Sequence, residues 1–361
     1  MAHKTFLALL LACLAPLANA SLDDVQLPPG FVIEEYADVP NARSLAMGDN
    51  GTLFVSNRKG RSVFAVVEND DGSTRTIELL DGMKTPNGIA FHEGDLYVAE
   101  IDRVFRYANI EDNLDNVPEG ELLKIDLPSD RHHGWRYIGF GPDDKLYISI
   151  GAPCNICDER DYAQIIRVDV DGSNRETYAS GVRNSVGFTW HPDTQELWFT
   201  DNGRDMMGDD IPPCELNRAP RQGLHFGYPY CHGDEIIDPR FGTGRDCANY
   251  TAPVQELGPH VAPLGVKFYT GEMFPAEYRN QVFVAEHGSW NRSRKIGYRV
   301  SLVRLDGNQA VSYEPFAFGW LQGESVSGRP VDLIVKEDGS LLVSDDFSGK
   351  IYRISYVGNA E

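Results

Sequence analysis

The sequence predicts an all-β protein, a six-bladed β-propeller of four-stranded antiparallel sheets, and three observations lead there. A turn of Asp, Gly, Asn or Glu followed by an apolar-aromatic-apolar-small strand recurs six times, with strands beginning at Leu53, Leu96, Leu146, Leu197, Val282 and Leu341. The starts lie 43, 50, 51, 85 and 59 residues apart, mostly the length of a four-stranded blade with one generous loop. Several copies are followed by a second β-rich run, and no segment shows a long amphipathic helical period with caps. A two-sheet sandwich, the competing all-β solution, does not explain so regular a spacing.

The chain opens with a secretory signal at residues 1–20: Lys4, an apolar run over 6–18, and the small-x-small site Ala18-Asn19-Ala20. The run is too short to span a bilayer, and no later segment reaches the apolar length of a spanning helix. Leu11-Ala12-Cys13 faintly resembles a lipoprotein box, but apolar residues continue beyond Cys13. The mature chain, from 21 to 361, is therefore expected to be periplasmic or secreted. Six turn-and-strand units follow: 49–56, 93–99, 142–149, 192–200, 279–285 and 336–344. Each strand is apolar on both faces, as expected of an inner strand packed between neighbouring sheets. Second strands are expected at 63–67, 103–107, 165–169, 299–304 and 350–354. The longest interval holds an insertion at about 205–260, rich in Gly, Pro, Cys and aromatics. It has no strand repeats of its own, so it reads as a lid-like loop rather than a second domain.

Composition narrows the partners. The chain is 42% hydrophobic and 11% aromatic, ordinary for a globular protein, and its net charge of -21 argues against nucleic acids and anionic membranes. Five cysteines follow the signal, so at least one thiol is left over if the others pair. Cys231 with Cys247, across a short Gly-rich loop, is the preferred disulfide, and Cys154 with Cys157 would form a tight local one. Asp158, not His, follows Cys157, so the covalent haem motif is absent, and no second Cys or His pair completes a zinc site.

Three clusters carry chemistry. His132-His133 with Arg136 precedes the third copy; a neutral His is a competent general base and an Arg binds anions, although a turn-capping loop His would look the same. Gly181-Val182-Arg183-Asn184 and then Thr200-Asp201-Asn202-Gly203-Arg204-Asp205, with Glu215 beyond, offer oxygen ligands for a hard cation such as Ca²⁺. Their spacing is not that of an EF-hand, and a solvated acidic loop is the plainer alternative. Glu286-His287-Gly288-Ser289-Trp290-Asn291-Arg292 and Gly328-Arg329 supply a Trp that can stack on a ring and arginines that can clamp carboxylates. A surface Arg-Asp network with a core Trp would read the same way.

Seven motifs in order carry a family resemblance across nearly all of the mature chain. They are His133-x-x-Arg136 running into Phe140-Gly141-Pro142-Asp143; Gly181-x-Arg183-Asn184-x-x-Gly187; Pro212-Pro213-x-Glu215-Leu216-Asn217; Phe226-Gly227-Tyr228-Pro229-Tyr230-Cys231; Ala262-Pro263-Leu264-Gly265; Ala285-Glu286-His287-Gly288-Ser289-Trp290-Asn291-Arg292; and Gly328-Arg329-Pro330. The chain resembles the soluble glucose/sorbosone dehydrogenases, propellers that use pyrroloquinoline quinone (PQQ) with Ca²⁺, and most of all their sorbosone and aldose sugar branch. The resemblance implies His133 as the base that takes the sugar's anomeric proton, and Arg183 as the group stabilising charge on the quinone. It implies cofactor contacts at Arg183, Asn184, Asn202, Arg329, Asn87 and, where the family has a Lys, Asn291 or Arg292. Its calcium ligands fall on Gly203, Arg204 and Glu215. The chain departs from the family at Val331, where a second Arg is expected, and at His132, where glucose-specific members have Asp.

The implied activity is oxidation of an aldose or a sugar aldehyde at C1, with electrons passing to an external quinone or cytochrome. Two readings from other classes compete. A calcium-dependent lactone hydrolase needs a ring of Glu, Asn and Asp around a channel metal, and a non-enzymatic propeller would present its face to a protein or glycan.

Overall fold

Six four-stranded antiparallel sheets surround one axis in the computed structural model, which describes residues 22–358; the signal segment lies outside the described residues. Blade one comprises Ala42–Met47, Leu53–Asn57, Val63–Glu68 and Thr74–Leu80, and blade two Gly88–His92, Asp95–Ala99, Val104–Tyr107 and Glu121–Leu122. Blade three runs Ile138–Phe140, Leu146–Ile150, Gln164–Val168 and Glu176–Ser180, and blade four Phe188–Trp190, Leu197–Asp201, Cys214–Ala219 and Gln255–Leu257. Blade five is Pro263–Phe268, Val282–Glu286, Arg299–Asp306 and Gln309–Phe318. Blade six is built from both ends of the chain. Pro330–Val335, Leu341–Asp345 and Lys350–Tyr356 are completed by the N-terminal Phe31–Asp38, paired antiparallel from Phe31 opposite Tyr356 to Asp38 opposite Lys350. That pairing closes the ring and covers a sheet edge that would otherwise be open.

The repeated motif marks the second strand of each blade rather than the innermost one. The first strands pack against one another around the axis, including those of blades one and two, five and six, and six and one. The second strands carry the signal because all five residues of each are buried. They have hydrogen-bonded neighbours on both sides and a neighbouring blade over each face, so both faces must be apolar. The core accordingly lies between blades: Val55, Phe64 and Val66 pack with Leu342 and Ile351 where the ring closes, and Ile148 and Ile166 pack with Tyr97 and Val104 between blades two and three. Each such aliphatic side chain contributes about 1.5–3 kcal/mol by leaving water.

The stretch expected as an insertion at about 205–260 is partly scaffold. It holds the third and fourth strands of blade four, and Leu224–His225 adds a parallel fifth strand to blade three. A short hairpin, Cys231–His232 with Ile236–Ile237, occupies the remainder, tied down by the Cys231–Cys247 disulfide. Cys214–Ala219 lacks the aromatic signature and mixes Glu, Asn and Arg with apolar residues, so its strand character is not visible in the sequence. Cys154 and Cys157 also pair, and Cys214 is a buried free thiol.

Candidate active site

The residues lining the axial cavity come from segments that enter a first strand or leave a second strand, with Cys214 at the start of blade four's third strand, that is, from one end of the ring. The cavity measures about 380 Å³. Four guanidinium groups line it, those of Arg43, Arg58, Arg183 and Arg329, against one carboxylate, that of Asp205. In a protein of net charge -21, this concentration of positive charge in a cleft selects an anionic ligand.

His133 stands on the wall where the chain enters blade three. It is 8% exposed and adopts φ 50°, a left-handed backbone uncommon for a side-chain-bearing residue and characteristic of sites held under constraint. Its Nδ1 lies 2.8 Å from the Ala152 carbonyl. A carbonyl only accepts, so Nδ1 carries the hydrogen and Nε2 keeps its lone pair. Burial, then the nearby Arg183 and His132, hold the ring well below the usual histidine range, so it is neutral at pH 7. The adjoining His132 is lowered as well, by burial and by Arg183.

Arg183 is fully engaged with protein. Its Nε donates to the Asn155 carbonyl at 2.9 Å, its Nη1 to the carbonyls of Asn202 and Gly203 at 3.0 Å each, and its Nη2 to Asn155 Oδ1 at 3.0 Å. Behind it, Asp201 accepts the backbone N–H of Arg183 at 2.7 Å and of Asn184 at 2.6 Å, fixing the pair's backbone. Across the cavity, Arg329 Nε and Nη2 donate to the carbonyls of His287 and Gly288 at 2.9 and 3.0 Å. Arg58 lies over the Trp135 ring at 4.8 Å and, among the described residues, has no carboxylate within ion-pair distance. A partly buried guanidinium without an acid partner is a ready anion contact.

Of the residues singled out from the sequence, His133, Arg183, Asn184, Asn202, Gly203 and Arg329 meet on this cavity. Asn87 stands behind the wall: its Oδ1 accepts from Arg43 Nε at 3.0 Å and its amide donates to the Arg136 carbonyl at 2.8 Å. Arg292 turns away to the Asp209 carbonyl and the Asp210 carboxylate, 3.1 Å from each, and Asn291 does not line the cavity. Arg204 bonds Asp238. Glu215 sits opposite Asp201 in the strand register, in a small pocket that shares Arg183, Asn202 and Gly203 with the cavity, and is pushed up by burial and by the Asp201 charge. Sequence reasoning missed Arg43 and Arg58, and it named His287 within a motif without giving it a role. Arg43, 1% exposed within the apolar strand Ala42–Met47, was the detectable one, because a buried Arg needs an anionic partner.

The fold and cavity together define a six-bladed propeller with a histidine-bearing anion site at one end of its axis. Comparison places it further: the TrAA12-like family model matches residues 25–357, and the chain belongs to that family. A protein of Borreliella burgdorferi with no assigned activity is 34% identical over 350 residues, covering 92% of this chain and 91% of its own. The pyrroloquinoline quinone-dependent pyranose dehydrogenase of Coprinopsis cinerea is 32% identical over 341 residues, covering 85% of this chain. The match takes in 42% of that enzyme, so this chain spans less than half of it. Among solved structures, the holo PQQ domain of the same Coprinopsis enzyme superposes with a TM-score of 0.78 at 20% identity, covering 92% of this chain and 97% of that one. The PQQ-bound aldose sugar dehydrogenase of Streptomyces coelicolor gives 0.65 at 20% identity, covering 91% and 99%. At these identities the structures establish the fold. The family resemblance drawn from the motifs thus extends over the whole propeller.

Proposed function

We propose that the protein is a PQQ-dependent dehydrogenase that oxidises an aldose or sugar aldehyde at C1 and passes the electrons to an external quinone or cytochrome, in the periplasm or outside the cell. The observation that carries the reading is the neutral His133, with Nε2 unprotonated, on the wall of a cavity that also presents four arginines. The residues present suit a planar tricarboxylate: Arg58 has no carboxylate within ion-pair distance, Asp346 acting on it only from farther off, and Arg43 and Arg329 flank the same space. Arg43, Arg58 and Arg329 would hold the carboxylates, with Asn184 and Asn202 beside them.

PQQ, when bound, supplies a two-electron acceptor for the hydride leaving C1. The remaining work belongs to the chain. His133 Nε2 takes the proton of the C1 hydroxyl while the Nδ1–H bond to Ala152 fixes the ring's tautomer and direction. Arg183, immobilised by Asn155, Asn202 and Gly203, places a fixed positive charge near His133, which keeps the base neutral and favours negative charge developing in the cavity. Trp290, 71% exposed at the cavity rim, offers an apolar face to a sugar ring.

Calcium fits less well. The hard donors facing the cavity near Gly203 are the Asn202 and Gly203 carbonyls, both already accepting from Arg183, and Glu215 stands with Asp201 in a small adjoining pocket rather than on the cavity itself. Among the described residues no group of three or more His, Cys, Asp or Glu is gathered for a metal, so no step is assigned to the ion. The test is reconstitution of the purified protein with PQQ, with and without calcium, against a panel of sugars and an artificial dye acceptor. Quinone-dependent dye reduction supports the proposal. Lactone hydrolysis with metal alone, or silence in both assays, refutes it.

A further inference from the structure

His287 also faces the cavity, and the mechanism above does not use it. His287 leaves the second strand of blade five, and its Nε2 lies 2.7 Å from Asp346 Oδ1. Asp346 Oδ2 accepts from Arg43 Nη1 at 2.9 Å, and Arg43 Nε donates to Asn87 Oδ1 at 3.0 Å. The cavity wall is thus backed by a continuous chain of hydrogen bonds from blade two through blades one and six to blade five. A carboxylate accepts, so His287 Nε2 carries the hydrogen and the neutral ring keeps a lone pair on Nδ1. The charged groups around the ring come from every neighbouring element. Blade one supplies Arg43 and Arg58, and blade six supplies Asp346 and Arg329. The segment entering blade five supplies His260, while His132, His133, Arg183 and Asp205 stand elsewhere on the cavity wall. Glu286, the chain neighbour, turns away to Arg299, Ser301 and Tyr313.

We propose that His287, oriented by Asp346, takes up a proton from solvent when a carboxylate of a planar polyanion seats against Arg43, Arg58 and Arg329. The inference rests on the quinone reading above. Without the anion, burial is the largest influence on the ring, and with Arg43 and Arg329 it outweighs Asp346, lowering His287 to about 4. The incoming carboxylate neutralises those guanidinium groups and adds a negative charge beside the ring. Both changes favour the cationic ring, so its affinity for a proton rises when the anion seats. Binding should then take up a fraction of a proton at pH 7 and a larger fraction at pH 6.

The experiment is calorimetric titration of the full protein with PQQ, in pairs of buffers differing in ionisation enthalpy, for the parent and His287→Gln. The parent should show the stated uptake, and His287→Gln should bind PQQ with that uptake lost, any contribution of His132, His133 or His260 remaining in both. Nitrogen chemical shifts of the parent's histidine rings give a second readout if the variant does not fold: one buried ring, neutral in the free protein, should become cationic with PQQ. Binding without buffer-dependent heat, equal uptake in the variant, or a ring that stays neutral overturns this inference while leaving the quinone reading intact. Failure to bind PQQ at all removes both.

Discussion

Gly151→Ala tests whether the position of His133, rather than its mere presence, matters. Gly151 does not occupy the left-handed region, so alanine is conformationally acceptable and the effect is steric. The new methyl would lie 2.6 Å from His133 Cβ and 3.0 Å from both the His133 carbonyl oxygen and Asn184 Oδ1. Carbon atoms in contact sit roughly 3.5–4.0 Å apart, so the His133 backbone must retreat by about 1 Å. It has little freedom to do so, because it is held at φ 50° and its ring is tied to Ala152. Overpacking of this kind costs about 1–3 kcal/mol, reduced by the few tenths of a kcal/mol that replacing a glycine restores. A displacement of about 1 Å at a proton-accepting nitrogen lowers turnover by about 100-fold. Urea unfolding and dye-reduction kinetics on the PQQ-loaded variant read the two effects separately. A kcat/KM within about twofold of the parent, at an unchanged urea midpoint, would refute the claim that Gly151 makes room for a positioned base.

Other outcomes follow from the same geometry. Because burial and Arg183 lower the His133 ring, it stays neutral as pH falls through the ordinary histidine range. The acidic limb of the kcat/KM profile should therefore lie below pH 6.5, and a limb at or above pH 7 would contradict this environment. Arg329→Ala should weaken PQQ retention more than it slows turnover at saturating PQQ, and Arg58→Ala should do the same; an unchanged cofactor titration would remove either from the binding set. Replacing Cys247 by Ser opens a loop with a sequence separation of 16. That should lower unfolding free energy by about 3 kcal/mol, whereas an unchanged denaturation midpoint would mean the loop is held by other contacts.

The ring was legible in the sequence because the second strand of each blade is enclosed on both faces, which forces the same apolar-aromatic-apolar-small pattern six times. The innermost strands were not. Ile138–Phe140 and Phe188–Trp190 are three residues long, too short to show a period, and Ala42–Met47 and Pro263–Phe268 contain Arg, Gly or Pro. Closure by Phe31–Asp38 was equally hidden, since pairing across more than 300 residues leaves no local trace. At the site, His133, Arg183 and Arg329 stood out because glycines and other polar residues surround them in short motifs. His287 lay within such a motif, but its partner Asp346 is 59 residues away, and Arg43 finds the same carboxylate from the other end of the chain. Arg292 was misleading for the converse reason: His287, Gly288 and Trp290 just before it line the cavity, whereas its own guanidinium is drawn off to Asp210.

The most direct measurement is stopped-flow reduction of bound PQQ by sugar in His133→Ala. The account predicts that this variant retains PQQ as the parent does, while its rate of quinone reduction falls by about 100- to 10,000-fold. Quinone reduction near the parental rate, with PQQ fully bound, would show that the proton is taken by another group and would contradict the role given to His133.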